Sequence, residues 1–91
     1  MSELLSTALV TGGSRGIGRA VAQTLAAAGY QIFLTYVSKP DEAEQTARAI
    51  LAAGGRARAF RLDVGDSESV AAFFRDEVRE RVELAVLVTN A

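Results

Sequence analysis

The chain has 91 residues, enough for one small domain but short for a complete two-sided α/β enzyme. With 49% hydrophobic and 23% charged residues it reads as a folded chain, not a disordered one. A net charge of -1 excludes the broad basic excess of general nucleic-acid or anionic-membrane binders; the lack of Cys and His excludes disulfide frameworks, thiol catalysis, Cys-ligated zinc and hydrolases with a His base. The start, Met1-Ser2-Glu3-Leu4-Leu5, has no basic leader, and its apolar stretch is far too short to span a bilayer. A cytoplasmic protein without metal, nucleic-acid or membrane partners is the expectation.

In chain order, the β-branched and apolar run Leu5 to Thr11 ends in glycines and reads as a buried parallel strand feeding a tight turn. Ile17, Val21 and Leu25 recur at helical spacing from Gly16 to Ala28, and Gly29 supplies the stop. Gln31 to Val37 reads as a second strand, and Ser38-Lys39-Pro40-Asp41 as a turn into a helix over Asp41 to Ala53. Ala57 to Val64, with Arg58 and Arg61 interspersed, suits a strand nearer the sheet edge than the first. A third helix is predicted from Asp66-Ser67 to about Glu83, with Val70, Ala71, Phe74 and Val78 on one face, followed by a fourth strand over Leu84 to Thr89. Phe60, Phe73 and Phe74 are assigned to the core, and the Arg/Glu/Asp residues between 75 and 83 to a solvated helix face. The rhythm βαβαβαβ, without linker or repeat, predicts an α/β fold: a Rossmann-like parallel sheet with flanking helices, the first part of a doubly wound domain.

The informative segment is Thr11-Gly12-Gly13-Ser14-Arg15-Gly16-Ile17-Gly18, where the first strand hands over to the first helix. At such a junction several backbone N–H groups lack helical partners and the helix dipole presents its positive end, so a pyrophosphate can bind without a cationic side chain. Gly12 suits the turn, Gly16 leaves room for phosphates, and Gly18 lets the helix pack close to the strands. Spacing separates this loop from others. The pattern G-x-G-x-x-G begun at Gly12 would need glycine at Ser14 and Ile17. A P-loop ending at Gly18 would need Lys where Arg19 stands.

Thr-Gly-x-x-x-Gly-x-Gly resembles the glycine motif of the short-chain dehydrogenase/reductase family. Two further segments follow in family order. Leu62-Asp63-Val64 is similar to the segment whose Asp, in that family, typically accepts from the adenine amino group. Val88-Thr89-Asn90-Ala91 is similar to its Asn-Asn-Ala-Gly motif, with Thr89 in place of the first Asn. The resemblance implies a dinucleotide site built by Gly12, Ser14, Arg15, Gly16, Ile17, Gly18, Asp63, Val64, Asn90 and Ala91, with Tyr36, Ser38 and Lys39 beside the adenine ribose. Each has a plainer reading. The glycines serve any turn, Asp63 could end a strand or help cap the next helix, Asn90 could be a loop residue, and Arg15 and Lys39 could be surface charges.

The choice of cofactor turns on the end of the second strand, where an Asp or Glu would bind a free ribose 2′-hydroxyl. Tyr36 stands there, so no acid at that position repels a 2′-phosphate. Arg15, just before Gly16, matches the position where relatives that prefer NADP(H) carry a basic residue, and a guanidinium grips phosphate bidentately. NADP(H) is therefore the expected cofactor.

The resemblance implies hydride transfer between nicotinamide and a carbonyl or alcohol carbon, assisted by a Tyr-x-x-x-Lys pair, a Ser and an Asn. No catalytic residue is assigned here: Tyr30 and Tyr36 are followed four residues later by Leu34 and Pro40. The chain is expected to be the N-terminal part of one NADP(H)-binding domain, inactive by itself. The complete protein most resembles 3-oxoacyl carrier-protein reductases of fatty acid biosynthesis, through Gly-Gly-Ser-Arg-Gly-Ile-Gly together with an acid-free second strand ending in Tyr. That resemblance implies a small or carrier-bound carbonyl substrate and a homotetramer or homodimer. The alternatives are a stand-alone nucleotide-binding module and a half-domain that assembles with another chain.

Overall fold

The structure is a computed structural model that describes residues 4–12, 16–38 and 40–89. Its elements run β1 (Ser6–Thr11), α1 (Gly16–Ala27), β2 (Gln31–Tyr36), α2 (Pro40–Ala52), β3 (Arg56–Arg61), α3 (Ser67–Phe73), a π-helical turn (Phe74–Val78) and β4 (Glu83–Val88). All strand pairs are parallel, in the order β3-β2-β1-β4. The expected Rossmann-like half-sheet is present, and β3 is at an edge as its arginines indicate.

β1 is uncharged, and its residues from Thr7 to Thr11 are all buried because both its faces are covered. Ala8 and Val10 face α1 and α2, together with Ile32 and Leu34 of β2, and meet Ala22, Ala43, Ala47 and Ile50. Leu9 and Phe33 face the opposite layer, where Leu62, Phe73 and Val78 close over them. Alternation along each strand thus feeds two cores, as a sheet covered on both faces requires. The helices of the first layer end alike: Tyr30 N–H donates to Leu25 O at 3.2 Å and Gly55 N–H to Ile50 O at 2.9 Å, the six-to-one bond of a glycine-terminated helix.

The third helix departs from its expected course. The α-helical part ends at Phe73 and gives way to the π-helical turn, in which Arg79 N–H donates to Phe74 O at 2.7 Å. At 3.6 residues per turn, a residue five positions beyond Phe73 would lie about 140° away from it. The wider turn brings Val78 back toward the face of Phe73, and both are buried in the same cluster. Glu80, at φ 62°, then reverses the chain before β4. β3 likewise stops at Arg61, short of Val64, because Asp63 folds into a turn: its Oδ1 accepts from Gly65 N–H at 2.9 Å.

Asp66, not Asp63, caps α3. Its Oδ1 accepts from the N–H groups of Glu68 (3.1 Å) and Ser69 (3.4 Å), and its Oδ2 accepts from the Ser69 hydroxyl at 2.9 Å. The Ser69 hydroxyl foremost, with these N–H groups, holds the Asp66 carboxyl below its ordinary value. A depressed folded pKa means the cap stabilises the helix fully above the unfolded-state value and is lost as pH falls through the lowered one.

Two outcomes are expected. In an NMR carboxyl titration, Ser69→Ala should raise the Asp66 midpoint toward that of a free aspartate. In urea unfolding, Leu34→Ala, at a fully buried position, should cost about 2–5 kcal/mol. Leu51→Ala, at a residue 53% exposed, should stay within about 0.5 kcal/mol of the parent.

Candidate functional site

In a parallel sheet every strand delivers its C-terminal end to one side, so the loops after β1, β2, β3 and β4 share one edge. The order β3-β2-β1-β4 makes the crossovers diverge there: α1 and α2 lie on one face of the sheet and α3 on the other. The crevice between the ends of β1 and β4 is a topological switch point, where open α/β sheets bind their ligands.

The described part of the glycine turn occupies that point. Gly12 is in the left-handed region at φ 66°, and its N–H donates to Thr35 O at 3.1 Å, so the turn is tied to β2. Thr11 Oγ1 donates to Val88 O at 3.4 Å, tying the other side to β4. Gly16, the first residue of α1, has φ +63°, and a Cβ added there would meet nothing within 4 Å among the described residues. Its backbone is strained for any other residue, yet the space in front of it is open, which is the cradle a phosphate needs next to the positive end of a helix. Gly18 is buried, in keeping with close helix-to-strand packing. The residues therefore fit a dinucleotide.

Tyr36, the last residue of β2, is half-buried and packs against the core under α1 and α2. Ser38 is exposed just beyond it. Asp63 is exposed past the end of β3, with Oδ1 committed to Gly65 and Oδ2 without a hydrogen bond among the described residues. Ile17 and Val64 are 76% and 57% exposed at the same end. Val37, 49% exposed directly after β2, joins them. The sequence analysis ran the second strand to Val37, whereas β2 ends at Tyr36. Ser14, Arg15, Lys39, Asn90 and Ala91 lie outside the described residues.

A parallel sheet with helices on both faces and left-handed glycines at its switch point defines a Rossmann-like α/β fold. The chain belongs to the short-chain dehydrogenase family, whose sequence model matches residues 6–91. It is 41% identical over 87 residues to the oxidoreductase YgfF of Escherichia coli strain K12, covering 96% of this chain and 35% of that protein. It is 38% identical over 89 residues to a 3-oxoacyl-(acyl-carrier-protein) reductase of Staphylococcus aureus, covering 98% and 36%. Among solved structures, a metagenomic short-chain oxidoreductase in complex with NADP superposes with a TM-score of 0.87 at 37% identity, covering 99% of this chain and 41% of that one. The chain thus spans about a third of the length of these curated relatives. No described helix is long and apolar enough to cross a membrane.

Gly16→Ala is expected to cost about 1–2 kcal/mol through left-handed backbone strain alone, since the added methyl meets open space. Denaturant unfolding of the parent and the variant checks it; an unchanged midpoint would mean that Gly16 relaxes out of the left-handed region.

Proposed function

We propose that this chain is the cofactor-binding part of an NADPH-dependent oxidoreductase that reduces a carbonyl to an alcohol. The observation that carries the reading is the pairing of an open left-handed glycine turn at the switch point with Tyr36 at the end of β2, where an NAD-preferring site would place a carboxylate. Arg15 adds the cation that a 2′-phosphate calls for, by its place in the sequence immediately before Gly16. The similarity to a structure solved with NADP and to a 3-oxoacyl-(acyl-carrier-protein) reductase supports the cofactor and a carrier-bound 3-oxoacyl substrate. The proposal extends to a cytoplasmic homotetramer or homodimer acting in fatty acid biosynthesis.

In this reading the first N–H groups of α1 hold the pyrophosphate, Ser14, Arg15, Ser38 and Lys39 surround the 2′-phosphate, and Asp63 accepts from the adenine amino group. Val64 and Ile17 flank the base and the turn, and Asn90 and Ala91 continue the site past β4. Bound NADPH supplies a hydride to the carbonyl carbon, while a proton must reach the carbonyl oxygen. No Tyr-x-x-x-Lys pair exists in these 91 residues to deliver it. A stand-alone nucleotide-binding module is disfavoured by β4, which pairs only with β1 among the described residues and leaves Leu87 55% exposed beside half-buried Val86 and Val88. That strand suits further polypeptide against it.

In the complete protein, Arg15→Ala should weaken NADPH binding about tenfold to a hundredfold, the value of a hydrogen-bonded charge, while NADH binding changes little. Tyr36→Asp should shift the preference the same way by restoring an acceptor for the free hydroxyl and repelling the phosphate. Dissociation constants for both cofactors decide the matter. Equal weakening of the two by Arg15→Ala would place Arg15 at the shared pyrophosphate and remove the case for NADP(H).

A further inference from the structure

We infer that Arg61 is a further cation for the adenine-ribose 2′-phosphate, reading the cofactor from the third strand as well as from the glycine turn. The inference rests on the NADP(H) reading above and names a specificity residue that the sequence motifs do not contain. Its starting point is strand register. Tyr36 and Arg61 are partners in the parallel β2–β3 ladder, and the pairing continues through Leu62 N–H, which donates to Tyr36 O at 2.8 Å. Partners in neighbouring strands lie about 4.8 Å apart, and side chains alternate between faces along each strand. Ala57 is buried in the core under α1 and α2, Ala59 packs against it, and so does Tyr36. Arg61, two residues beyond Ala59, is therefore on the face that carries Tyr36, at the end of the strand where the ribose is proposed to lie.

Position and lack of a partner together distinguish Arg61, since Arg19, Arg56, Arg79 and Arg81 are also without an ion pair among the described residues but none of them ends β3 beside Tyr36. Arg61 is exposed at the last position of an edge strand, so no neighbouring strand stands between its guanidinium and the end of β2. It also has no ion pair or hydrogen bond among the described residues. Arg48 is bridged to Glu44 at 3.7 Å, Arg58 to Glu77 at 3.6 Å while lying over the Phe60 ring at 4.8 Å, and Arg75 to Asp76 at 3.1 Å. The surroundings are not basic by default. Asp41 and Glu42 occupy the first turn of α2, and Asp63 follows Arg61 by two residues. Beside Arg15 and Lys39 of the proposed site, Arg61 is a further cation for a doubly charged phosphate at this edge, and it forms no ion pair with Asp41, Glu42 or Asp63.

An exposed arginine on an edge strand also guards against edge-to-edge pairing, a task that Arg56 and Arg58 share along β3. That role makes no distinction between nucleotides, and the test exploits the difference. The probes are 2′,5′-ADP and 5′-AMP, which differ only by the 2′-phosphate, titrated by calorimetry into the full-length protein. The parent should prefer 2′,5′-ADP. Arg61→Ala should lower that affinity about tenfold, at the weaker end of a charged hydrogen bond, and leave 5′-AMP binding unchanged. Arg61→Lys should recover part of the loss. If both nucleotides weaken together, or neither does, Arg61 only protects the strand edge and the inference falls while the NADP(H) reading stands. If the parent itself does not prefer 2′,5′-ADP, the cofactor reading fails and takes this inference with it.

Discussion

Everything in this chain hangs on β1 being buried on both faces and paired on both sides. Ala8, Leu9 and Val10 are almost wholly inaccessible, and the strand is hydrogen-bonded to β2 on one side and β4 on the other. A strand in that position has no polar face to spare, which is why its sequence lacks alternation. It also cannot continue: the next residues must leave the sheet abruptly, because α1 has to fold back over the same face that Ala8 and Val10 present. A left-handed residue makes such a departure possible in very little chain, and Gly12 supplies it while its N–H still extends the ladder to Thr35. The geometry that buries the strand is thus the geometry that exposes the start of the helix.

The second layer is thinner and is held differently. On that face a seven-residue helix and one π-helical turn do the covering, and their purchase on the sheet is aromatic. Phe33, Phe60 and Phe73 form edge-to-face contacts with centroids 4.9–6.3 Å apart, and Phe74 meets Phe73 at 5.7 Å. Such pairs fix ring orientation as well as burying area, so a short element can be located firmly. Widening the helix by one residue is the local cost of bringing Val78 down beside Leu9 and Phe33. Beyond it, the Arg58–Glu77 pair links the turn to β3 at a solvent-screened surface and adds little.

Legibility followed the physics of each signal. β1 and β2 were readable because burial on both faces favours β-branched and apolar residues, β3 from small and apolar residues alternating with arginine, β4 from its apolar run, and α1 and α2 because periodicity and terminal glycines agree. The far end of the third helix was not readable: the α-helical spacing of Val70, Phe74 and Val78 looks regular, and only packing against the sheet reveals the extra residue. The end of β3 was overextended for a related reason, since Leu62 is buried like a strand residue although Asp63 has already turned the chain toward Gly65. Within the site, the glycines could be recognised by spacing and position, because left-handed backbone is a demand the sequence must state openly. Arg61 could not be. Its relation to Tyr36 is one of register between strands 25 positions apart in sequence, and nothing local records it.

That contrast bears on how a nearly neutral chain can recognise a polyanion. With a formal charge of -1 there is no field to draw in phosphate from a distance, so recognition has to be assembled within a few ångströms. In the proposed reading, backbone N–H groups at the start of α1 would serve a pyrophosphate irrespective of what the ribose carries, and for that reason they could not discriminate between cofactors. Discrimination needs side chains that reach one position on the ribose, and the topology brings candidates to it from different strands: Tyr36 from β2 and Arg61 from β3. In the proposed reading, a residue that excludes no anion and a cation without an ion pair among the described residues are complementary halves of one device. Either alone would be an ordinary surface feature, whereas their register would make the 2′ position the place where the charge state of the cofactor is felt.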